Sequence, residues 1–291
     1  MRRCLFVLAA IATLLATPGG VAAQELPPWQ AAQRMQEQLF EAQTGLLLDE
    51  ATGGRSAARA NAHYRGELAR ALRADAPEAD RDVRGALKAA ERALANDDQP
   101  ALAAARGRLH AGLMRGSYAV TVAAVRDRDA ARARDWLLLR EFREATRFTR
   151  PGVDATVAVR NLASGESGAR KALLDVKKDL LDAYQASLSA ELEQALEAHE
   201  RGFDSRLAET SAKAAGLWQI LAPEYERARG AAARADADAA FEALARTGLG
   251  APEEFPAEAE AASAALEGFV AAPFTPRSRR AALPSSSAFS T

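Results

Sequence analysis

Apolar side chains recur every three or four residues along most of the chain, which is the spacing of one face of an α-helix. The longest such pattern runs from about residue 167 to residue 202 and predicts a helix of about 50 Å. A helix of this length needs a neighbouring helix to bury its apolar stripe. Its apolar positions are Leu173, Val176, Leu180, Tyr184, Leu188, Leu192 and Leu196.

Turn-forming and capping residues divide the rest of the pattern into further helices. The first predicted helix begins at the prolines 27–28, and Ser56 is the predicted N-cap of the second. Later, an alanine-rich segment follows Pro223 and runs to Leu244. The pattern therefore predicts an all-α fold, an elongated multi-helix bundle of roughly eight to ten helices without a sheet. Its predicted breaks fall at residues 53–54, 75–77, 96–100, 127–129 and 151–152.

The composition supports this fold class. About a quarter of the 291 residues are alanine, the residue that is least costly to place in a helix. β-Branched residues, which favour strands, are few. We therefore expect helices throughout the folded part of the chain.

The two ends of the chain differ from its middle. Residues 1–23 have the pattern of a secretory signal peptide, with Arg2 and Arg3 before a short apolar run and small residues before Gln24. The expected mature domain spans residues 24–272, with a candidate subdivision near residues 151–166. Residues 273–291 lack apolar periodicity, so we expect a disordered tail. Because the composition also changes abruptly there, a second hypothesis is that this stretch is translated out of frame.

Charge and cysteine content exclude several classes of function. The chain has 38 basic and 39 acidic residues; without Arg2 and Arg3, 36 basic residues remain, and the mature charge is −3. This balance does not favour nucleic-acid binding. The lone Cys4 lies in the predicted signal, which excludes a disulfide framework and a thiolate zinc site. No nucleophile elbow, phosphate loop or metalloprotease motif is present, so we expect no enzyme.

The strongest candidate metal ligands are Glu141 and Glu144. On a helix they share one stripe with Leu137 and Phe148, so both carboxylates lie between apolar residues. Two carboxylates three residues apart offer oxygen ligands to a hard cation such as Fe³⁺ or Ca²⁺. The alternative interpretation is that they only neutralise neighbouring arginines.

A second set of candidate ligands lies near the end of the longest predicted helix. Glu197 and Glu200 share a polar face, and His199 directly precedes Glu200. Metal binding would require groups from another helix to converge on them. A solvated polar stripe opposite the leucines would have the same pattern.

The other aromatic and histidine residues favour structural interpretations. His63 and His110 stand alone among helical residues, so packing or exposure is a simpler explanation for them than metal ligation. The large aromatic residues lie on apolar stripes and are predicted to be in the core. They are Trp136, Tyr184, Trp218 and Tyr225.

Four stretches carry a resemblance to a known family. They are residues 137–144 (LLLREFRE), 146–152 (TRFTRPG), 179–185 (DLLDAYQ) and 218–225 (WQILAPEY). As a set they resemble the extracytoplasmic N-terminal region of bacterial high-affinity iron permeases, the oxidase-dependent iron transporter family. The resemblance spans about residues 100–275.

The resemblance implies a role in iron uptake at the cell envelope. In that family the ion passes through membrane helices with an R-E-G-x-E-type motif; residues 140–144 (REFRE) keep the charged positions but lack the glycine. No mature stretch has the length of a membrane span. We therefore expect an exported domain on the periplasmic or extracytoplasmic side, from a truncated iron-permease-type protein that binds or presents iron. Its expected partners are iron and envelope iron-uptake proteins; the alternative is a non-metal helical scaffold of the envelope.

Overall fold

The computed structural model describes residues 26–48, 50–139 and 154–272. Every regular element in these ranges is a helix, and no strand occurs among them. The all-α prediction is therefore confirmed. The described part of the chain contains eleven helices, slightly more than the eight to ten expected. They are α1 (Pro28–Leu48), α2 (Glu50–His63), α3 (Gly66–Asp75), α4 (Pro77–Ala95), α5 (Gln99–Arg126), α6 (Ala130–Leu137), α7 (Ala155–Ala163), α8 (Ala169–Glu200), α9 (Asp204–Arg229), α10 (Ala231–Gly250) and α11 (Phe255–Leu266).

Several helix boundaries are set by local capping, as the sequence predicts. Pro77 starts α4, where its missing N–H costs nothing because the first-turn N–H groups have no partner within the helix. Asp98 caps α5 by accepting a hydrogen bond from the N–H of Ala101 at 2.9 Å. Asp129 caps α6 in the same way, accepting from the N–H of Arg132 at 3.0 Å. The predicted breaks at residues 75–77, 96–100 and 127–129 are confirmed.

The predicted break at residues 53–54 is wrong. Gly53 and Gly54 both lie inside α2, and Ser56 is a buried residue of that helix rather than its cap. A Cβ atom on Gly53 would lie 3.2 Å from both the carbonyl oxygen of Ala42 and Cδ2 of Leu94. Gly53 therefore allows α2 to pack closely against α1 and α4. In the sequence, a glycine with this packing role looks the same as a glycine that forms a turn.

Pro223 does not end a helix either. Helix α9 continues through it to Arg229 and ends at Gly230, whose φ of 90° is one that residues with a side chain rarely adopt. Proline removes only one backbone hydrogen bond, and the surrounding helix remains buried against its neighbours. As a result, Trp218 and Tyr225 lie in the same continuous helix.

The core lies where the long helices pack together. Helix α9 packs against α5, α8 and α10, and α4 and α6 cover other faces of α5. The four aromatic residues predicted to be in the core, Trp136, Tyr184, Trp218 and Tyr225, are all at most 3% exposed, which confirms that prediction. Among the described residues, no helix is both long enough and apolar enough to cross a bilayer.

Candidate functional site

The first pair of predicted metal ligands, Glu141 and Glu144, lies outside the described residues. The structure does describe the helices on either side of them. Helix α6 ends at Leu137 and α7 begins at Ala155, and the two helices contact each other. Both also pack on long helices, α6 on α5 and α7 on α8. The last helix before residues 140–153 and the first helix after them are therefore neighbours in the bundle.

Both of these positions are anchored by hydrogen bonds. On the α6 side, the hydroxyl of the buried Ser117 donates to the carbonyl oxygen of Trp136 at 2.8 Å. On the α7 side, Oδ1 of Asp154 accepts from the N–H of Val157, and Oδ2 of Asp179 accepts from the N–H of Ala155, both at 2.9 Å. An N-cap carboxylate and a second acid from α8 thus hold the start of α7.

The second set of predicted ligands is spread over the end of α8. Glu197 is exposed and forms an ion pair with Arg201, with Oε1 2.6 Å from Nη2. The His199 ring lies against Phe255 of α11, with the ring centroids 5.4 Å apart, and Glu200 is exposed. Across residues 26–48, 50–139 and 154–272, no three His, Cys, Asp or Glu side chains converge as a metal site would require. Metal binding by Glu197, His199 and Glu200 stays a prediction.

A buried polar network connects α1, α5, α8 and α9. His110 of α5 lies with Nδ1 3.0 Å from Oε1 of Gln36 in α1; because that oxygen is an acceptor, Nδ1 is the donor. Arg106, one turn before His110, forms an ion pair with Glu209 of α9 at 3.3 Å. Lys213 of α9 forms an ion pair with the buried Glu191 of α8. We call these six residues the polar network.

All members of the polar network except Glu191 line a cavity of about 60 Å³. This volume holds a water molecule or two, which need several polar partners to be stable in a protein interior. Two cationic side chains, Arg106 and Lys213, line the cavity. Each of them forms an ion pair with a glutamate of another helix, so we interpret the network as a structural link between helices.

In the sequence, His110 stands alone among helical residues, so the polar network was not predicted. A usable signal was present within each helix: Arg106 and His110 are four residues apart, as are Glu209 and Lys213, so each pair shares one face. The missing information was that these two faces meet in the bundle. That contact joins residues about a hundred positions apart.

His110 makes stability sensitive to acid. Burial, and secondarily the charge of Lys213, lower the pKa of His110 to about 3, whereas an unfolded histidine has a pKa of about 6.5. Between these values the unfolded chain takes up a proton that the folded chain does not. The free energy of unfolding should therefore fall by about 1 to 2 kcal/mol between about pH 7 and pH 5.

Chemical denaturation at several pH values checks this expectation. The variant His110→Asn keeps an amide donor for Gln36 and should reduce the pH slope, because it cannot be protonated. His63→Asn, at the end of α2, is the matched control for the loss of one histidine elsewhere in the chain. An unchanged slope in His110→Asn would show that His110 is not the group responsible.

Comparison with known proteins gives one family assignment. The family model described as "Iron permease FTR1 N-terminal domain" matches residues 23–267. This range includes all eleven helices of the described structure, and it starts well before residue 100, where the resemblance seen in the sequence was expected to begin. Neither a curated protein nor a solved structure matches the chain.

Proposed function

The chain belongs to the family of iron permease N-terminal domains, and from this premise we propose that it is an exported helical domain that binds or presents iron outside the membrane. The observation that carries the proposal is the family match over residues 23–267, which spans most of the chain. The signal-like residues 1–23 support export. In this proposal, iron is the cargo of the domain and is not a catalytic cofactor.

Glu141 and Glu144 are the ligands that we propose for the ion. Iron in its ferric state prefers hard oxygen donors, and two carboxylates at a spacing of one helical turn can act together. The sequence supports this choice, because both carboxylates are predicted to lie on one stripe of a helix.

Calorimetric titration of the purified chain with Fe²⁺ under anaerobic conditions, and with Fe³⁺, tests the proposal. We expect saturable binding that weakens at least tenfold in Glu141→Ala and in Glu144→Ala, since each variant removes one of two charged ligands. Glu253→Ala, which removes an exposed glutamate outside both candidate sets, is the matched control and should bind as the unmodified chain does.

The possible outcomes separate the parts of the proposal. Absence of saturable binding for both ions would contradict iron binding and favour the envelope scaffold. Unchanged binding in both variants would contradict the choice of Glu141 and Glu144. A loss confined to a double variant of Glu197 and Glu200 would move the site to the end of α8.

A further inference from the structure

A concave groove is formed by α4, α5, α9 and α10. Its volume is about 900 Å³, which lies within the range of small-molecule sites. Helices α5 and α9 form its floor, and α4 and α10, which pack on α5 and α9 respectively, form its walls. We call this feature the arginine groove. Small residues line much of it, among them Gly85, Ala89, Gly112, Ala215 and Gly216.

Two glycines explain the shape of the groove. Gly216 lets α9 lie directly on α5, because a Cβ atom there would come within 2.3 Å of Cβ of Ala111. Gly85 on the α4 wall has the opposite environment, with no heavy atom within 4 Å of where its Cβ would be. Helices α5 and α9 are therefore closely packed at the bottom of the groove, and free space remains beside Gly85 of α4.

Three arginines from three different helices line the arginine groove without a carboxylate partner. Arg92 lies on α4, Arg108 on α5 and Arg246 on α10, and none of them forms an ion pair with any described residue. This differs from Arg106 on α5 and Arg132 on α6, which form ion pairs with Glu209 and Asp75 respectively. Arginines that converge on a cleft without counter-ions produce a positive potential there.

The charged residues of the lining leave a net positive charge, because four arginines, Arg81 among them, face only two acids, Asp82 and Glu242. Asp82 is paired with Arg115 at 2.8 Å, and Arg81 lies 3.9 Å from Glu78. Only Glu242 contributes a carboxylate without an ion pair among the described residues. Desolvation, and secondarily the positive charge of Arg92, lower the pKa of Arg108, which agrees with the two guanidinium groups lying near each other in the groove.

We propose that the arginine groove binds a soluble organic anion that has a compact apolar body and a phosphate or carboxylate group. The guanidinium groups of Arg92, Arg108 and Arg246 present planar donor pairs that match such oxyanions. The small side chains of the floor leave space for the apolar body, and burying that body adds affinity. This site uses no metal and is therefore independent of the iron-binding proposal.

Calorimetry of the metal-free full chain with 1-naphthyl phosphate tests the arginine groove. We expect saturable binding that weakens at least tenfold in Arg108→Gln and in Arg246→Gln, because each loses a charged contact to the anion. Gly85→Leu should also weaken binding at least tenfold, since it fills the open space in front of α4 while keeping every arginine. Arg201→Gln, an exposed arginine at the end of α8, is the matched control and should have no effect.

Three outcomes would overturn the proposal. Unchanged binding in both Arg108→Gln and Gly85→Leu would show that the ligand binds elsewhere. If inorganic phosphate bound as tightly as 1-naphthyl phosphate, the apolar body would contribute nothing to affinity, which contradicts the proposed ligand class. Binding to phosphatidylglycerol vesicles without binding to free 1-naphthyl phosphate would replace the soluble ligand with a membrane surface. Circular dichroism of each variant verifies that its helices are intact.

Discussion

Replacing Trp218 with alanine should cost about 3 to 5 kcal/mol of unfolding free energy, as expected for a fully buried large aromatic residue. Trp218 is completely buried and joins α9 to α10. Its ring stacks on Phe241 with centroids 4.8 Å apart and an interplanar angle of 10°, and it meets Tyr225 edge-on at 5.0 Å. The indole N–H also donates to Oδ1 of Asp238 at 2.7 Å.

Urea denaturation of the full chain measures this loss, and two further variants identify its source. Trp218→Phe removes the hydrogen bond but keeps much of the packing, so it should cost less, about 1 to 2 kcal/mol. Phe203→Ala is the matched control, because Phe203 is 55% exposed and should contribute little. If Trp218→Ala and Phe203→Ala cost the same, the aromatic cluster does not hold α9 and α10 together.

Replacing Gly107 with alanine should destabilise the protein by about 2 kcal/mol, although alanine is the better helix former. Gly107 lies in α5 where the helix touches α9, and its added Cβ would lie 2.3 Å from the carbonyl oxygen of Glu209. Because that atom belongs to the backbone, only a shift of one helix against the other can relieve the clash. The polar network would move with it, since Arg106 and Glu209 are part of the same contact.

Gly85→Ala is the matched control for Gly107→Ala. Both glycines lie inside helices, but the added Cβ of Gly85 meets no atom within 4 Å. This variant should raise stability by about 0.5 to 1 kcal/mol through helix propensity alone. Thermal unfolding should therefore shift in opposite directions for the two variants. A rise for both would contradict the close approach of α5 and α9.

The fold class and many boundaries could be predicted because they depend on neighbouring residues. Asp98 and Asp129 cap helices through bonds to N–H groups three residues away, and the long α8 has its apolar stripe in a single stretch of sequence. The wrong predictions concern residues whose role is non-local. Gly53 was assigned to a break, but its surroundings are atoms of Ala42 and Leu94 on other helices.

The candidate sites also fall into those that local spacing predicts and those that depend on how the helices pack. Glu141 and Glu144 could be proposed from spacing alone, because a helix places residues three apart side by side. The polar network around His110 and the arginine groove could not, since their members come from four helices each. Each residue on its own looks like part of a solvated helix face.

The sequence alone was enough to predict that this protein is helical, where several of its helices begin and end, and which family its local motifs resemble. These properties follow from capping, periodicity and propensity, which act within a few residues. The packed helices were needed to show that Arg92, Arg108 and Arg246 line one groove, and that His110 has polar neighbours on other helices. Helix packing depends on the shapes of whole helix faces, so it brings together residues that are far apart along the chain, and the sequence around each residue does not reveal its neighbours.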